Sequence, residues 1–302
     1  MLPLPRFVLD TPDRVADVVA AKAAGALVIA GGTDLVPSMK HRLFEPERVV
    51  SLRRVAELHT IREEEGGVSI GAACTLRDVA RSPLLARWPA LIDACRTVAT
   101  PTIQNRATLG GNVMLDTRCL FYNQPAGWRA SIGGCLKKDG TICHVAPKGR
   151  GCYATQSADT VPALWLYDAS LELAGPNGTR RVPLAELYLD EGRTFTVVAP
   201  DELLTRIHLP TRGYAVAHRK LRTRGAIDYA QVLVAVRAGP TWAAVVGAIA
   251  TRPVLVTASA AELAEAARQA CQPLSTHLPP ATWRKKMVRV EVERAVRALG
   301  GA

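Results

Sequence analysis

The sequence of 302 residues has no uncharged run long enough to cross a membrane. No stretch free of Lys, Arg, Asp and Glu exceeds 15 residues, and the most apolar such run, residues 238–251, has 14, whereas a membrane helix needs about 20. The first ten residues also lack the basic head, apolar run and small-residue cleavage site of a secretory signal. We therefore expect no membrane contact and a cytoplasmic location.

Aromatic residues are scarce too, at 5% of the chain, although the formal net charge is +11. A basic surplus of this kind can attract nucleic acid or an acidic protein. The local surpluses, at residues 116–153 and 284–297, do not show the regular alternation of basic and aromatic residues found on base-stacking surfaces. The pattern favours a solvated basic surface over nucleic-acid binding and leaves an acidic protein partner open.

Catalytic signatures are absent as well. No Ser, His and Asp constellation, His-rich metal motif or pair of carboxylates at helical spacing suggests a substrate site within this chain. We therefore expect no catalytic residue in this chain and a substrate site elsewhere.

The order of the remaining patterns predicts an α+β protein of two domains. A helix with Thr11 as its N-cap runs to Ala24 and precedes a buried strand at residues 26–30, a hairpin spans residues 57–72, and helices open at Thr75 and at Ser82. After residue 153 these patterns resume with a short helix at residues 160–168 and a second hairpin over residues 170–184. We expect residues 1–194 to form a two-part α/β domain.

Residues 195–302 begin with strand patterns and end with helix patterns, which is typical of a separate α+β domain of antiparallel sheet and helices. The predicted strands lie at residues 195–198, 203–209, 217–221, 231–238 and 243–250, and the predicted helices at residues 259–271 and 280–299.

Two Gly-Gly turns stand out in the first domain. Ala30-Gly-Gly-Thr-Asp-Leu35 follows the buried strand, and Thr108-Leu-Gly-Gly-Asn112 offers a second turn far along the chain. Paired glycines expose backbone N–H groups without obstruction by Cβ atoms, as in phosphate-binding loops. Either pair alone also fits an ordinary tight turn, and neither matches the G-x-G-x-x-G or Walker A patterns. Together they suggest a bound diphosphate.

Periodicity disappears over residues 116–153, which we call the cysteine loop. So long an irregular segment needs a functional reason, and it carries Cys119, Cys135, Cys143 and Cys152. Four clustered thiols in a cytoplasmic chain suit either structural zinc or an iron–sulfur cluster. The sequence has no Cys-x-x-Cys knuckle in this loop, so the cysteine spacing does not decide between zinc and a cluster. The remaining cysteines are predicted to be small buried apolar residues, namely Cys74, Cys95 and Cys271.

The glycine motifs resemble the FAD-diphosphate loops of the flavin subunits of molybdenum hydroxylases, the xanthine dehydrogenase and carbon monoxide dehydrogenase group. The resemblance covers essentially the whole chain and implies a PCMH-like FAD-binding domain. It implies that FAD is bound by two segments: Ile29, Ala30, Gly31, Gly32, Thr33, Asp34 and Leu35, and Thr108, Leu109, Gly110, Gly111 and Asn112.

Further FAD contacts follow from the same resemblance. Asp159, in Ser157-Ala-Asp159, matches an aspartate that hydrogen-bonds the ribityl or ribose part of FAD, and Val98 falls where the backbone lies against the adenine. Lys220 matches a lysine near the isoalloxazine, and Leu203 or Leu204 an aliphatic residue beside the ring. From the residues alone, Asp159 also suits a helix N-cap, Lys220 an exposed lysine and the leucines core positions.

The cysteine loop separates Asn112 from Asp159, which in most of these subunits are joined by a short stretch. This arrangement is similar to the β subunit of 4-hydroxybenzoyl-CoA reductase, whose inserted loop holds an additional [4Fe–4S] cluster. The similarity implies that Cys119, Cys135, Cys143 and Cys152 bind such a cluster. It makes the chain a flavin and iron–sulfur electron-transfer subunit.

The implied partners are a molybdopterin-binding large subunit and a small [2Fe–2S] subunit, in a dimer of heterotrimers, with a ferredoxin as electron donor. Basic residues of the loop are predicted to attract this acidic donor, namely Lys137, Lys138, Lys148 and Arg150. Two alternatives stay open: a flavin subunit of another molybdenum hydroxylase, acting on a purine, an N-heterocycle or another acyl-CoA, and a zinc-stabilised module that binds nucleic acid.

Overall fold

The computed structural model describes residues 2–301 and contains twelve strands and ten α-helices among them. The strands are β1 (Val8–Asp10), β2 (Leu27–Ile29), β3 (Arg48–Ser51), β4 (Ile61–Glu64), β5 (Gly67–Gly71), β6 (Ser170–Gly175), β7 (Gly178–Pro183), β8 (Leu203–Pro210), β9 (Val216–Leu221), β10 (Val232–Arg237), β11 (Trp242–Gly247) and β12 (Val254–Ala258). The helices are α1 (Val15–Ala23), α2 (Leu35–Lys40), α3 (Leu76–Arg81), α4 (Pro89–Thr97), α5 (Pro101–Gln104), α6 (Leu109–Val113), α7 (Ala126–Ser131), α8 (Val161–Leu166), α9 (Leu263–Ala270) and α10 (Ala281–Ala298).

The N-terminal part is a small parallel sheet in the order β1-β3-β2. Parallel neighbours need crossover connections, which α1 and α2 provide. Val18 of α1 and Val50 of β3 are fully buried in the core of this unit. The predicted N-cap Thr11 is wrong, because α1 begins only at Val15, with Arg14 in extended conformation as its N-cap.

The second part is a five-stranded antiparallel sheet in the order β4-β5-β8-β6-β7. Its central strand β8 pairs with β5 through Ile70 and Ile207 and with β6 through Leu171 and Ile207, and these three side chains are fully buried. The strand predicted at residues 203–209 was assigned to the C-terminal domain, and that assignment is wrong because β8 lies in the five-stranded sheet. We propose that the boundary predicted between residues 194 and 195 lies after Pro210 instead.

The C-terminal part is a four-stranded antiparallel sheet in the order β12-β11-β10-β9, covered by α9 and α10. Successive side chains of β10 point to opposite faces, so Val232, Val234 and Val236 join the core under the two helices while Ala235 faces the first domain. The predicted α+β class, with an antiparallel C-terminal sheet, is confirmed.

Two strand predictions need correction. Residues 195–198 form no strand and contribute one isolated bridge, between Thr196 and Tyr188. The strand β12 was not predicted.

Within residues 2–301, no helix has both the length and the apolar character needed to cross a membrane.

The cysteine loop contains one short helix, α7, and is anchored by a buried arginine. Arg129 is only 2% exposed, and its guanidinium donates to the carbonyls of His41, Arg42 and Gln124 at 2.6–2.9 Å and pairs with Asp139 at 3.1 Å. Because His41 and Arg42 directly follow α2, Arg129 fixes the loop against the C-terminal end of the helix that follows the first glycine segment.

Candidate cofactor site

A cavity of about 640 Å³ lies where the two sheets of the first domain meet β9 of the C-terminal sheet. This volume is typical of cofactor sites. All but one of the residues assigned to FAD from the sequence line this cavity. These lining residues are Ile29, Ala30, Gly31, Gly32, Thr33, Asp34, Leu35, Val98, Thr108, Gly110, Gly111, Asn112, Asp159, Leu203, Leu204 and Lys220.

Leu109 is the exception, because its side chain is fully buried in the core of the first domain. Its backbone N–H donates to the carbonyl of Cys74 at 2.9 Å. Leu109 therefore anchors the second glycine segment from behind, and it does not line the cavity.

The first glycine segment can only be built from glycine at two positions. Gly32 has φ of +73°, a left-handed conformation that side chains disfavour. A Cβ atom on Gly31 would lie 1.7 Å from the carbonyl oxygen of Arg106. The backbone of this segment is thus packed against the chain that leads into the second segment, which brings the two turns to one cavity.

The second glycine segment forms the start of α6. The Thr108 hydroxyl caps the helix by accepting from the N–H of Gly111 at 3.1 Å, and a Cβ atom on Gly110 would lie 2.6 Å from the Cβ of Ala72. The Asn112 side chain accepts from the backbone N–H and the hydroxyl of Thr160 at 3.0 and 2.7 Å. It thereby ties this turn to the segment that carries Asp159.

Asp159 and Lys220 form a buried ion pair in the cavity. Lys220 Nζ lies 2.6 Å from Asp159 Oδ1, outside hydrogen-bonding geometry, and donates to the Thr97 carbonyl at 3.1 Å. Burial raises the pKa of Asp159, and the Lys220 ammonium opposes that shift. Thr160 is the N-cap of α8, so the alternative role of Asp159 as an N-cap is wrong.

Replacing Lys220 with methionine is expected to lower the free energy of unfolding by about 3–5 kcal/mol at neutral pH, because it leaves a buried carboxylate without its cation. Burial raises the pKa of Asp159, and without the opposing Lys220 charge it is expected to rise further in the folded variant, so the variant loses additional stability as the pH rises from the usual aspartate pKa through this raised value. Urea unfolding at about pH 5 and about pH 8 should show the larger deficit at the higher pH.

The double variant Asp159→Asn with Lys220→Met removes both charges and serves as the control. It is expected to recover most of the lost stability. A deficit of equal size at both pH values would contradict the buried-charge explanation.

Val98 and the two leucines line the cavity from different elements. Val98 is the C-cap of α4, and its carbonyl accepts from Gln104 Nε2 at 2.7 Å. Leu203 and Leu204 are neighbours in β8 and pack into different cores, yet both reach the cavity wall.

Several lining residues escaped sequence reasoning. They come from separated parts of the chain and share no motif: Lys22, Asp116, Arg118, Phe195 and Tyr229. Asp116 and Arg118 had a nearby signal, since both lie in the cysteine loop just before Cys119.

The four cysteines of the loop face one small second cavity. These are Cys119, Cys135, Cys143 and Cys152, and all four are buried, at 6–9% exposure. Phe121, Tyr122 and Leu136 line the same space. Burial raises the pKa of Cys119 to about 11, although the backbone groups of Phe121 and Tyr122 oppose the shift. Among residues 2–301, no three His, Cys, Asp or Glu side chains come close enough together to bind a single metal ion.

The segment around Cys152 is closely packed. Its Sγ accepts from the Ala154 N–H at 3.4 Å, and its own N–H donates to Glu191 Oε1 at 2.9 Å. A Cβ atom on Gly192 would lie 2.8 Å from this Sγ, so glycine is required there. The other cysteines are buried elsewhere in the domain cores, as predicted: Cys74, Cys95 and Cys271.

Lys137 was predicted to lie on a docking surface, and that prediction is wrong. Its side chain is 6% exposed, and its ammonium pairs with Asp116 at 2.6 Å and donates to the carbonyl of Gly192 at 2.8 Å. It also lies 4.6 Å from the centre of the Tyr122 ring. Lys137 therefore provides a buried positive charge beside the cysteines.

Comparison with known proteins identifies the class. The family described as "FAD binding domain in molybdopterin dehydrogenase" matches residues 6–212. The chain belongs to this family, as the FAD-binding medium subunit of a molybdenum hydroxylase-type oxidoreductase, and FAD is its cofactor.

Particular relatives share both sequence and fold. The aldehyde oxidoreductase FAD-binding subunit PaoB of Escherichia coli is 31% identical over an alignment of 273 residues that covers 86% of this chain and 86% of its own length. The carbon monoxide dehydrogenase medium chain of Afipia carboxidovorans is 31% identical over 96% of this chain and 95% of its own length. The solved structure of reconstituted CO dehydrogenase from Oligotropha carboxidovorans superposes with a TM-score of 0.77 at 26% identity, covering 100% of both chains.

Proposed function

We propose that this chain is a two-centre electron-transfer subunit that carries FAD and a [4Fe–4S] cluster within a heteromeric molybdenum oxidoreductase. The observation that carries the proposal is the convergence of four cysteines from one inserted loop on a single cavity, next to the cavity that gathers the FAD residues. In such a subunit the protein positions the redox groups and tunes them.

The FAD cavity fits a dinucleotide cofactor. Bound FAD supplies the capacity to exchange electrons both singly and in pairs. The glycine segments Gly31–Gly32 and Gly110–Gly111 line this cavity and would face the diphosphate, and Asp159 and Lys220 would face the ribityl chain and the ring. Leu203 or Leu204 supplies apolar contact for the ring.

The ligand chemistry of the cysteine cavity also suits a cluster. A four-iron cluster is held at its corners by Cys thiolates, so its ligands stand further apart than those of one ion. The four buried thiols line one common space, and this convergence supports the proposed cluster. Four thiolates carry negative charge, which the buried Lys137 would partly balance.

The substrate would be bound by a partner. We propose a molybdopterin-binding large subunit and a small [2Fe–2S] subunit, in a dimer of heterotrimers in the cytoplasm, since the relatives are named as medium chains and FAD-binding subunits. The cysteine loop between Asn112 and Asp159 favours 4-hydroxybenzoyl-CoA reductase as the whole enzyme. Its electrons would run from ferredoxin through the cluster and FAD toward molybdenum.

A second candidate comes from a specific similarity. The chain is 31% identical to PaoB, named as an aldehyde oxidoreductase subunit, over 86% of both lengths. In an aldehyde oxidoreductase the electrons would run outward, from molybdenum to FAD and onward.

The two candidates are separated with the complex purified through a tag on this chain. Under anaerobic conditions, 4-hydroxybenzoyl-CoA should oxidise the chemically reduced complex if it is the substrate, and an aldehyde should leave the oxidised complex unchanged. Flavin bleaching by aldehydes, without any reaction with the CoA thioester, would contradict the reductase proposal and support the second candidate. Both reactions are followed by the flavin absorbance.

The surface of the cysteine loop suits an acidic redox partner. Lys148 and Arg150 are exposed, Lys138 is 31% exposed, and the apolar side chains of Trp128 and Ile142 are 39% and 54% exposed on the same loop. Basic charge around an exposed apolar contact steers an acidic ferredoxin and lets it dock.

Replacing Lys138, Lys148 and Arg150 together with glutamine is expected to slow electron exchange with ferredoxin by about five-fold to ten-fold at low salt, with little difference at high salt. Stopped-flow measurement of flavin absorbance over a range of ionic strength provides the rates. The matched control replaces three exposed basic residues outside the loop, Arg53, Arg54 and Lys286. Equal rates for the two variants at low salt would refute docking on this loop.

A further inference from the structure

Arg118 extends from the base of the cysteine loop into the FAD cavity. Its backbone pairs with Thr155 across the base of the loop, through N–H to carbonyl bonds of 2.8 and 2.6 Å in the two directions. Its side chain lines the FAD cavity, while the next residue, Cys119, lines the cysteine cavity. Arg118 is thus positioned between the two cavities.

The guanidinium group is held on two sides. It forms an ion pair with Asp34 of the first glycine segment and lies over the Tyr229 ring, 4.2 Å from its centre. The Arg118 side chain is only 13% exposed. These contacts fix the plane of the group and leave its orientation little freedom.

One donor of this group has no partner. Nε of Arg118 is buried and makes no hydrogen bond to any residue among 2–301. A buried charged donor without an acceptor is costly, so the site is built for an acceptor from outside the chain. The cavity that the side chain lines is the one that gathers the FAD residues.

The other cations of this cavity are already engaged. Lys220 pairs with Asp159, and Lys22 donates to the carbonyl of Pro200. Of these three cationic side chains, Arg118 alone has a buried nitrogen atom that makes no hydrogen bond within residues 2–301.

We propose that Arg118 donates its Nε–H to bound FAD and positions the cofactor from the side of the cysteine loop, with Asp34 and Tyr229 holding the guanidinium in place. The acceptor is an electron-rich oxygen or nitrogen of FAD, and loss of Arg118 weakens FAD binding. The inference rests on FAD binding and not on the proposed cluster, so failure of one leaves the other standing.

The test is the affinity of the flavin-free full chain for oxidised FAD, measured by quenching of flavin fluorescence. Arg118→Met is expected to raise the dissociation constant about ten-fold or more, as for loss of a charged hydrogen bond. Arg118→Lys, which keeps the charge and loses the planar fork, is expected to fall between this variant and the unaltered chain. Arg54→Met, at an exposed position, serves as the control.

Variants of Asp34 distinguish a direct contact between Arg118 and FAD from a merely structural role of Arg118. If Arg118 only neutralises Asp34, the double variant Asp34→Asn with Arg118→Met should bind FAD as well as Asp34→Asn alone, and that result would overturn the proposal. The proposal predicts that the double variant binds about ten-fold more weakly. Binding by Arg118→Met and Arg118→Lys within two-fold of the unaltered chain would overturn it as well.

The reduction potential of bound FAD locates the acceptor. If Arg118 contacts the flavin ring, Arg118→Met should weaken reduced FAD more than oxidised FAD, and each additional ten-fold lowers the two-electron potential by about 30 mV. An unchanged potential with weakened binding places the contact on the diphosphate or ribityl part. Both results support a direct contact.

Discussion

Replacing Gly31 with alanine is expected to give a chain that binds FAD about ten-fold to a hundred-fold more weakly, as a forced overlap costs about 1–3 kcal/mol. The added Cβ atom would lie 1.7 Å from the Arg106 carbonyl oxygen. That atom belongs to the backbone, so no rotamer change relieves the overlap, and the two glycine segments must separate. Flavin content after purification and FAD affinity by fluorescence quenching measure the effect.

Gly127→Ala is the matched control. Gly127 lies in α7, and a Cβ atom there meets nothing within 4 Å. This variant is expected to retain full flavin. Full flavin content and unchanged affinity in Gly31→Ala would show that the close contact of the two segments does not shape the FAD site.

Replacing Cys143 with alanine is expected to remove the iron of the purified chain almost completely while leaving most of its FAD. The four cysteines face one cavity, so removing one thiol leaves an incomplete ligand set for a four-iron cluster. The glycine segments and Asp159 lie around the other cavity and keep their contacts. Iron and acid-labile sulfide analysis, alongside flavin extraction, measures the two centres separately.

Cys271→Ala is the control for this variant. Cys271 is fully buried in the C-terminal core, away from the loop cysteines. Its loss is expected to lower stability and leave the iron content per folded chain unchanged. Equal iron in Cys143→Ala and the unaltered chain would refute the assigned ligand set.

Local features of the sequence predicted much of the site. The Gly-Gly turns are recognisable because glycine alone tolerates the backbone of Gly32 and the close approach at Gly31. The four cysteines were grouped by their confinement to one irregular loop, and the structure brings them to one cavity. Their ligation to a cluster stays a prediction, as do the individual FAD contacts.

Non-local packing accounts for what the sequence did not reveal. The strand β8 has the same apolar pattern whether it pairs with β5 or with the C-terminal strands, and only the assembled sheet decides. Lys137 is indistinguishable from Lys138 in the sequence, yet Asp116 and Tyr122 enclose it. Arg118 acquires its place in the FAD cavity through Tyr229, which is far away in the chain.

The most direct test of the two-centre account is the cofactor content of the unaltered chain after anaerobic purification. The account predicts one FAD with about four irons and about four sulfides per chain, and a cluster signal in electron paramagnetic resonance after dithionite reduction. FAD accompanied by zinc, or by no metal at all, would contradict it and leave the cysteine loop a structural element.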